Sequence, residues 1–266
     1  MAAAYAARRN PEDFGKADRP PRTFARAHVA FERKETMVKL LKKKVHNRPF
    51  PTDTRWGLFT TYLHYLWADH AYLRLGFSNA HWVGPDMLRT NQPWPFQLEK
   101  WKKKGVRTVI NLRGGKGSFY YLEKYACDKL GLKLEDFGLT SRSLPTAEEI
   151  RRAKDFFSRI EYPAMLHCKS GADRAGMMSV LYAHFHLGQP IEQAREQLSF
   201  KYLHMKAGHT GVLDHLFEVY LRDIAPKGIS FYDWTQGPDY DPVKLKSEFH
   251  AEWWGTLLVD RILKRE

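Results

Sequence analysis

The chain has 266 residues, of which 43% are hydrophobic and 14% aromatic, enough to bury a sizeable core and to exclude a wholly disordered protein. Two cysteines are too few for a disulfide scaffold or a Cys-built zinc site, and no apolar run is long enough to be a confident membrane span. Because the N-terminal end has no stretch resembling a signal peptide, we expect a cytoplasmic location.

The positive charge is concentrated near the N-terminus. Residues 1–55 contain 14 basic and 6 acidic residues, and therefore +8 of the total charge of +13; the densest run is Lys42 to Lys44. We interpret residues 1–55 as a basic, partly disordered arm, suited to an anionic partner such as a phospholipid surface on the inner membrane. One alternative is that the arm is a solvated tail without a partner. Another, which we do not favour, is that it binds nucleic acid.

Residues 56–79 follow as an aromatic helix, whose sequence begins WGLFTTYLHYLWADHAYLRLGF. Such a helix could lie on a membrane surface, but we favour packing on the next domain, because apolar helices usually bury in cores. His64, Asp69 and Arg74 argue against a full crossing. If the segment did cross a membrane, the basic arm would stay inside and the remaining chain would lie outside.

From residue 80 the pattern alternates between strands and helices. This alternation predicts an α/β fold for residues 80–225, with a central, mostly parallel sheet flanked by helices on both faces, and residues 226–266 as a C-terminal extension over it. The strands are expected at 86–90, 106–112, 132–137 and 164–167, and the helices at 96–104, 119–130, 146–160 and 174–187, with further helices beginning near Pro190 and Gly211.

The segment AMLHCKSGADRAG, residues 164–176, carries the most information about function. A buried strand ends at Cys168, and five residues later Arg174 opens a helix. At the carboxyl end of a parallel strand, the N–H groups of such a loop can converge on one point, and the helix N-terminus adds positive potential. We predict an anion cradle about one phosphate wide, built from four loop residues: Lys169, Ser170, Gly171 and Ala172.

A thiol at the base of that cradle is a nucleophile, because the same field favours its thiolate form. The planar guanidinium of Arg174 fits two phosphoryl oxygens. Cys168 and Arg174 together predict two-step hydrolysis of a phosphate monoester through a phosphocysteine, with no cofactor and no metal.

This segment resembles the signature of Cys-dependent protein tyrosine and dual-specificity phosphatases: His-Cys, five residues, Arg, then Ser or Thr. Upstream, DMLRTNQP and VRTVINLRG also resemble the bacterial dual-specificity-like branch, so the resemblance covers residues 80–220 or so. It implies the phosphatase fold and activity on phosphorylated proteins. The runner-up substrate is a phospholipid or lipid-linked phosphate at a membrane.

The sequence departs from that family at two places. Position 175 is Ala where the family usually has Ser or Thr. This motivates a third interpretation, in which the protein is a catalytically weak phosphate-binding module. The loop in which the family places its general acid, residues 138–146, contains no carboxylate. We take Asp173 as the first candidate acid, since myotubularin-like and Sac-type lipid phosphatases have Asp there, and Asp136 as the second. The alternative for Asp173 is a carboxylate that braces a neighbouring loop.

Three basic residues and a second cysteine complete the candidates. Lys169, Arg113 and Arg142 are expected to bind a second anionic group of the substrate, with a solvated surface position as the alternative for each. Cys127 is either a core residue or a partner that protects the oxidised nucleophile; we favour the core.

Overall fold

A computed structural model describes residues 50–140 and 142–249. Most of the basic arm predicted for residues 1–55, including the run Lys42 to Lys44, lies outside the described residues, as does the end of the C-terminal extension.

Five strands form one sheet in the order β1-β2-β5-β3-β4. All neighbours are parallel except β1 and β2, which pair antiparallel. The strands are β1 (His81–Trp82), β2 (Met87–Thr90), β3 (Thr108–Asn111), β4 (Lys133–Asp136) and β5 (Ala164–His167). The predicted α/β class with a mostly parallel sheet is therefore confirmed. Each parallel strand lies within a segment expected to be a strand, whereas β1, only two residues long, was not expected.

Nine α-helices surround the sheet within the described residues. They are α1 (Arg55–Ala68), α2 (Pro95–Lys103), α3 (Ser118–Leu130), α4 (Ala147–Arg159), α5 (Asp173–Phe185), α6 (Ile191–Ala194), α7 (Val212–Val219), α8 (Phe231–Gln236) and α9 (Pro242–Glu248). Local signals fix several ends. Thr146 and Glu149 form a capping box at the start of α4, and Gly131 ends α3 in the left-handed conformation.

The helices cover both faces of the sheet. On one face, α2 and α3 contribute buried side chains such as Leu98 and Ala126, which pack with Val109 and Met165. On the other face, α4 and α5 contribute side chains such as Phe157, which pack with Ile110. Alternating strand residues therefore point into two separate cores, as the period of two in a strand requires.

Helix α1 packs on this domain by one side. Gly57, Thr61 and Tyr65, spaced four residues apart, are buried, and the Tyr65 ring lies edge-on to Trp94 at 4.7 Å. The expected aromatic segment is not one continuous helix, because α1 ends at Ala68 and a short 3-10 turn follows at Ala71–Arg74. Within the described residues, no helix is both long and apolar enough to cross a membrane.

The C-terminal extension forms part of the larger core. Phe231 and Trp234 of α8 are buried there, and the Tyr240 hydroxyl donates to the Pro145 carbonyl oxygen at 2.5 Å. The extension thus contains the helix α8, which packs against α4.

Candidate active site

The loop between β5 and α5 wraps around the Cys168 sulfur. The strand ends at His167, and α5 begins at Asp173; we call residues 168–174 the phosphate loop. Cys168 is 2% exposed, and its Sγ accepts a hydrogen bond from the Gly171 backbone N–H at 3.2 Å. That N–H therefore points into the loop toward the sulfur, as expected for an anion cradle at a helix N-terminus.

A fully buried arginine holds the outside of the phosphate loop. Arg89, in β2, donates from Nη2 to the carbonyl oxygens of Gly171 and Ala172 at 2.9 and 3.1 Å. Its Nη1 donates to the Gln197 carbonyl oxygen at 2.6 Å, and its guanidinium lies 4.0 Å from the centre of the Tyr202 ring. Burial lowers the pKa of Arg89 to about 10, against the opposing Coulombic effects of Tyr202, Cys168 and Asp173.

The two preceding loop carbonyls are also held from outside. The Gln92 backbone N–H donates to the Lys169 carbonyl oxygen at 3.3 Å, and the Asn79 side-chain amide donates to the Ser170 carbonyl oxygen at 3.0 Å. Four consecutive carbonyls thus have partners on the outer side of the loop. With the carbonyls fixed outward, the N–H groups are kept available for an anion on the inner side.

Glycine is required at position 171. Its φ is +76°, in the left-handed region, and a Cβ there would lie 2.7 Å from the Asn91 nitrogen and 2.9 Å from the Thr90 carbonyl oxygen. These are backbone atoms at the end of β2, so they cannot yield as a flexible side chain would. The left-handed backbone at Gly171 therefore brings the loop into close contact with the end of β2.

A chain of buried polar groups runs from the base of the loop to the neighbouring strand end. His167 Nε2 lies 2.7 Å from Glu123 Oε1, and the Gln92 amide donates to that same oxygen at 3.0 Å. Arg113 in turn donates to Gln92 Oε1 at 3.0 Å. His167 and Glu123 are fully buried, so this chain fixes the residue before Cys168.

Arg113 is engaged in an ion pair with the end of α1. It donates to both Asp69 oxygens, at 2.6 and 3.1 Å, and Arg74 also donates to Asp69. Burial favours the protonated carboxyl, but Arg113, Arg74 and Lys169 outweigh it and lower the pKa of Asp69. The Arg113 guanidinium, which was expected to bind an anionic group of the substrate, is thus already paired with the Asp69 carboxylate and the Gln92 amide.

Asp173 lies in a buried carboxylate–imidazole–carboxylate arrangement. His204 Nδ1 is 2.8 Å from Asp173 Oδ1, and His204 Nε2 is 2.7 Å from Asp214 Oδ2. Burial disfavours the imidazolium, but the hydrogen bonds that its ring nitrogens donate to the two carboxylates outweigh burial and raise the pKa of His204 to about 9. The His204 side chain is therefore an imidazolium cation at neutral pH. It joins Asp173 of α5 to Asp214 of α7. This is the contact expected of a carboxylate that braces a neighbouring loop.

Asp136 ends β4 at the same sheet edge. Its two oxygens accept hydrogen bonds from the Asn111 side-chain amide at 2.8 Å and the Tyr120 hydroxyl at 2.9 Å. Burial and the bond to Asp136 raise the pKa of Tyr120 to about 12. Asn111 pairs in register with both Asp136 and His167, so one strand separates Asp136 from the strand that carries Cys168.

The remaining candidates occupy different settings. Arg174 is half-buried in the first turn of α5, beside the loop, whereas Arg142 is exposed in the loop after β4. Ala175 is fully buried, and Ser179, one turn further along α5, is buried with no hydrogen-bond partner for its hydroxyl among the described residues. Position 175, where the phosphatases that the motif resembles usually have Ser or Thr, thus has no hydroxyl.

The second cysteine lies in the other core. Cys127 is fully buried with the α2 and α3 side chains, whereas Cys168 packs with the α4 and α5 side chains. Burial, reinforced by the Glu123 charge, raises the pKa of the Cys127 thiol far above its usual range. This favours the interpretation of Cys127 as a core residue. In residues 50–140 and 142–249, no group of His, Cys, Asp and Glu has an arrangement that could hold a metal ion.

Several residues that build this site have weak signals in the sequence. Arg89 stands in a short apolar strand, where a charge implies a fixed buried partner, and Glu123 falls on the buried side of α3. His204 and Asp214 come from a region of irregular helices and 3-10 turns, and nothing in the local pattern connects them to Asp173.

No protein-family model and no curated protein sequence matches the chain. Among solved structures, it is similar to Pseudomonas aeruginosa TpbA in complex with phosphotyrosine, with 13% identity over 59% of this chain and 90% of that one and a TM-score of 0.44. It is also similar to Tk-PTP in its active form (16% identity, 54% and 97% covered, TM-score 0.43) and to a putative phosphatase from Shewanella putrefaciens (15%, 57% and 97%, 0.42).

Phosphatases are thus what this chain is similar to, both in its motifs and in these solved structures. With identities and TM-scores this low, its function has to be argued from its own residues.

Proposed function

We propose that the protein is a Cys-dependent phosphatase that hydrolyses phosphate monoesters through a phosphocysteine. The observation that carries the proposal is the phosphate loop, in which the Cys168 sulfur receives the Gly171 N–H while four loop carbonyls are held outward. A phosphoryl group at the centre of this loop would accept the inward N–H groups and the Arg174 fork, which stabilise its negative charge.

In the first step, the Cys168 thiolate attacks phosphorus, an S–P bond forms, and the P–O bond to the leaving alcohol breaks. In the second step, water attacks the phosphocysteine and releases inorganic phosphate and the thiolate. The equatorial oxygens remain within the loop in both steps, which is why a rigid cradle lowers the barrier. Ala175 supplies no hydroxyl for the departing thiolate, so we expect the second step to be the slower one.

The leaving oxygen needs a proton in the first step, and the two candidate acids differ in their surroundings. Asp173 is buried and paired with His204, an arrangement that favours a role in holding the loop. Asp136 is exposed at the sheet edge. We therefore infer that Asp173 braces the loop and that Asp136 is the better candidate for the acid.

Replacing each carboxylate distinguishes these roles. We expect Asp136→Asn to slow aryl phosphates with poor leaving groups more than those with good ones, because only the poor ones need the proton. Asp173→Asn should slow both equally, through a displaced loop. Turnover across a series of substituted phenyl phosphates measures the difference, and a leaving-group dependence found for Asp173→Asn alone would reverse the assignment.

Turnover of para-nitrophenyl phosphate tests the proposed activity. We expect Cys168→Ser to lower kcat by about 10³-fold or more, because the attacking sulfur is lost. Arg174→Lys should lower kcat/KM by about 10²-fold, since an ammonium cannot engage two phosphoryl oxygens. Cys127→Ala, which removes the thiol of the other core, is the matched control and should retain activity.

The same assay separates the proposal from the phosphate-binding module. If the wild-type protein binds inorganic phosphate but does not turn over para-nitrophenyl phosphate, hydrolysis is contradicted and the phosphate-binding module is supported. Phosphorylated proteins are the first substrate class that we propose, and a phosphomonoester carried by a lipid is the second. The second is favoured by the basic residues 1–49 and by the exposed aromatic side of α1.

A further inference from the structure

Helix α1 has a second apolar side that no other described residue buries. Four large side chains occupy it, spaced so that they lie along one side of the helix, nearly opposite the buried Gly57, Thr61 and Tyr65. They are Trp56, Phe59, Leu63 and Trp67, with exposures of 74%, 51%, 41% and 66%. We call these four residues the apolar stripe.

The exposed apolar surface continues past the end of the helix. The Tyr72 ring, in the 3-10 turn, lies 5.9 Å from the Trp67 ring, and Leu73, Leu75 and Phe77 are also exposed. Of the 14 large hydrophobic side chains exposed among the described residues, eight therefore fall within residues 56–77. Exposed apolar side chains are normally scattered singly, and a concentration of this kind marks an interaction site.

The charges around the stripe fit an anionic partner. Between Arg55 and Asp69 the helix contains no carboxylate, and Asp69 itself is neutralised by Arg74 and Arg113. The 49 residues that precede the described chain contain 13 basic and 5 acidic residues, so a net charge of +8 adjoins the stripe in sequence. Aromatic rings next to a polybasic segment are the combination that binds anionic lipid headgroups.

We propose that the apolar stripe docks on an anionic lipid bilayer, with α1 lying in the plane of the interface. Trp56 and Trp67 stand near the two ends of a 14-residue helix, and the indole ring prefers the boundary between headgroups and acyl chains. A second copy of the chain, or residues 250–266, are the other possible occupants. The charge pattern favours the bilayer over both, because a second copy carries a net charge of +13 and residues 250–266, with three basic and three acidic residues, carry no net negative charge.

Docking by this side also positions the proposed active site. Asp69, which follows α1, pairs with Arg113 at the sheet edge, and Asn79, beyond the 3-10 turn, donates to the Ser170 carbonyl oxygen of the phosphate loop. The segment that follows the docked helix is thus joined to the sheet edge and to the loop by polar contacts. This consequence rests on the proposed phosphatase function, whereas the docking itself does not.

Co-sedimentation of the full chain with vesicles tests the proposal. The vesicles contain phosphatidylcholine alone or phosphatidylcholine with phosphatidylglycerol. We expect the wild type to bind the anionic vesicles and to bind less as salt is added. Replacing three stripe residues together, Trp56→Ser, Phe59→Ser and Trp67→Ser, should weaken binding by about tenfold or more. The matched control, Ile229→Ser with Val243→Ser, removes exposed apolar side chains elsewhere and should bind as the wild type does.

Three results would overturn the docking proposal: no binding of the wild type to anionic vesicles, equal binding of the wild type and the stripe variant, or a wild-type dimer that the stripe variant converts to a monomer. If the stripe variant has a lower melting temperature but binds vesicles as the wild type does, the stripe is covered by another segment of the same chain. That result would also contradict docking. Turnover of para-nitrophenyl phosphate without vesicles is measured on the same samples. Its absence in every variant and the wild type would contradict the phosphatase function and leave the docking result standing.

Discussion

At the scale of single residues, the site depends on buried charges whose partners are distant in sequence. Arg89 donates to loop carbonyls 82 and 83 positions away, and Asp173 contacts His204, which lies 31 positions later outside any helix. Such buried ionic groups are stabilising only when every partner is in place, because an unpaired buried charge is costly. These groups therefore make the shape of the phosphate loop sensitive to protonation as well as to mutation.

The protonation of His204 predicts a pH-dependent stability. Its pKa in the folded chain, about 9, lies above the ordinary value of 6.5. The contribution to stability is therefore fully present below pH 6.5 and is lost as the pH rises through 9. From a shift of this size we expect the free energy of unfolding to fall by about 3 kcal/mol across that range.

Urea unfolding of the wild type and of His204→Gln at several pH values measures this loss. The glutamine side chain keeps hydrogen-bonding capacity without titrating, so the variant should lack the alkaline decline while unfolding with a similar urea dependence. Parallel stability curves for the two proteins would show that His204 does not carry the proton that we assign to it.

At the scale of elements, the strand–loop–helix unit from β5 to α5 was predictable from the sequence because its determinants are local. A short apolar strand, a glycine-containing loop and a helix start follow one another between residues 164 and 176. The capping box at Thr146 is local in the same way. The two-residue β1 was not predictable, since it is defined by pairing with β2 and has no periodicity of its own.

The residues that hold the loop carbonyls could not be predicted either, because they contact the loop through the pairing of strands and not through a local pattern. Asn79, Arg89 and Gln92 meet the loop only because β2 lies beside β5 in the sheet, and that order follows from the whole fold. Arg113, expected to bind a second anionic group of the substrate, is likewise paired with a residue outside the motif, Asp69 of the aromatic segment.

The loop geometry predicts a difference between two glycines with similar backbones. Gly171 and Gly188 both have positive φ, +76° and +69°, but a Cβ at position 188 would meet no atom within 4 Å. We expect Gly188→Ala to cost about 1 kcal/mol of stability and to leave kcat/KM unchanged. Gly171→Ala should in addition push the loop from β2 and lower kcat/KM by about 10²-fold.

Thermal unfolding and turnover of para-nitrophenyl phosphate, measured on both variants, provide the comparison. If the two substitutions had equal effects on turnover, the close approach of Gly171 to β2 would not be what sets the loop.

At the scale of the whole molecule, the aromatic segment before residue 80 and the extension after residue 226 are both built into the domain. Tyr65 packs on Trp94, Asp69 pairs with Arg113, and Trp234 of α8 enters the larger core. The segment that could have been a separate anchor instead contributes a buried carboxylate to the edge of the sheet. One side of α1 supports the proposed site, and the other side forms the exposed apolar stripe.

The most direct measurement is mass spectrometry of the full chain, quenched with acid within milliseconds of mixing with para-nitrophenyl phosphate. The account predicts one phosphoryl group on the peptide that contains Cys168, accumulating because Ala175 slows its hydrolysis, and absent from Cys168→Ser. Turnover without any phosphorylated Cys168 peptide, or a phosphoryl group on another residue, would contradict the mechanism.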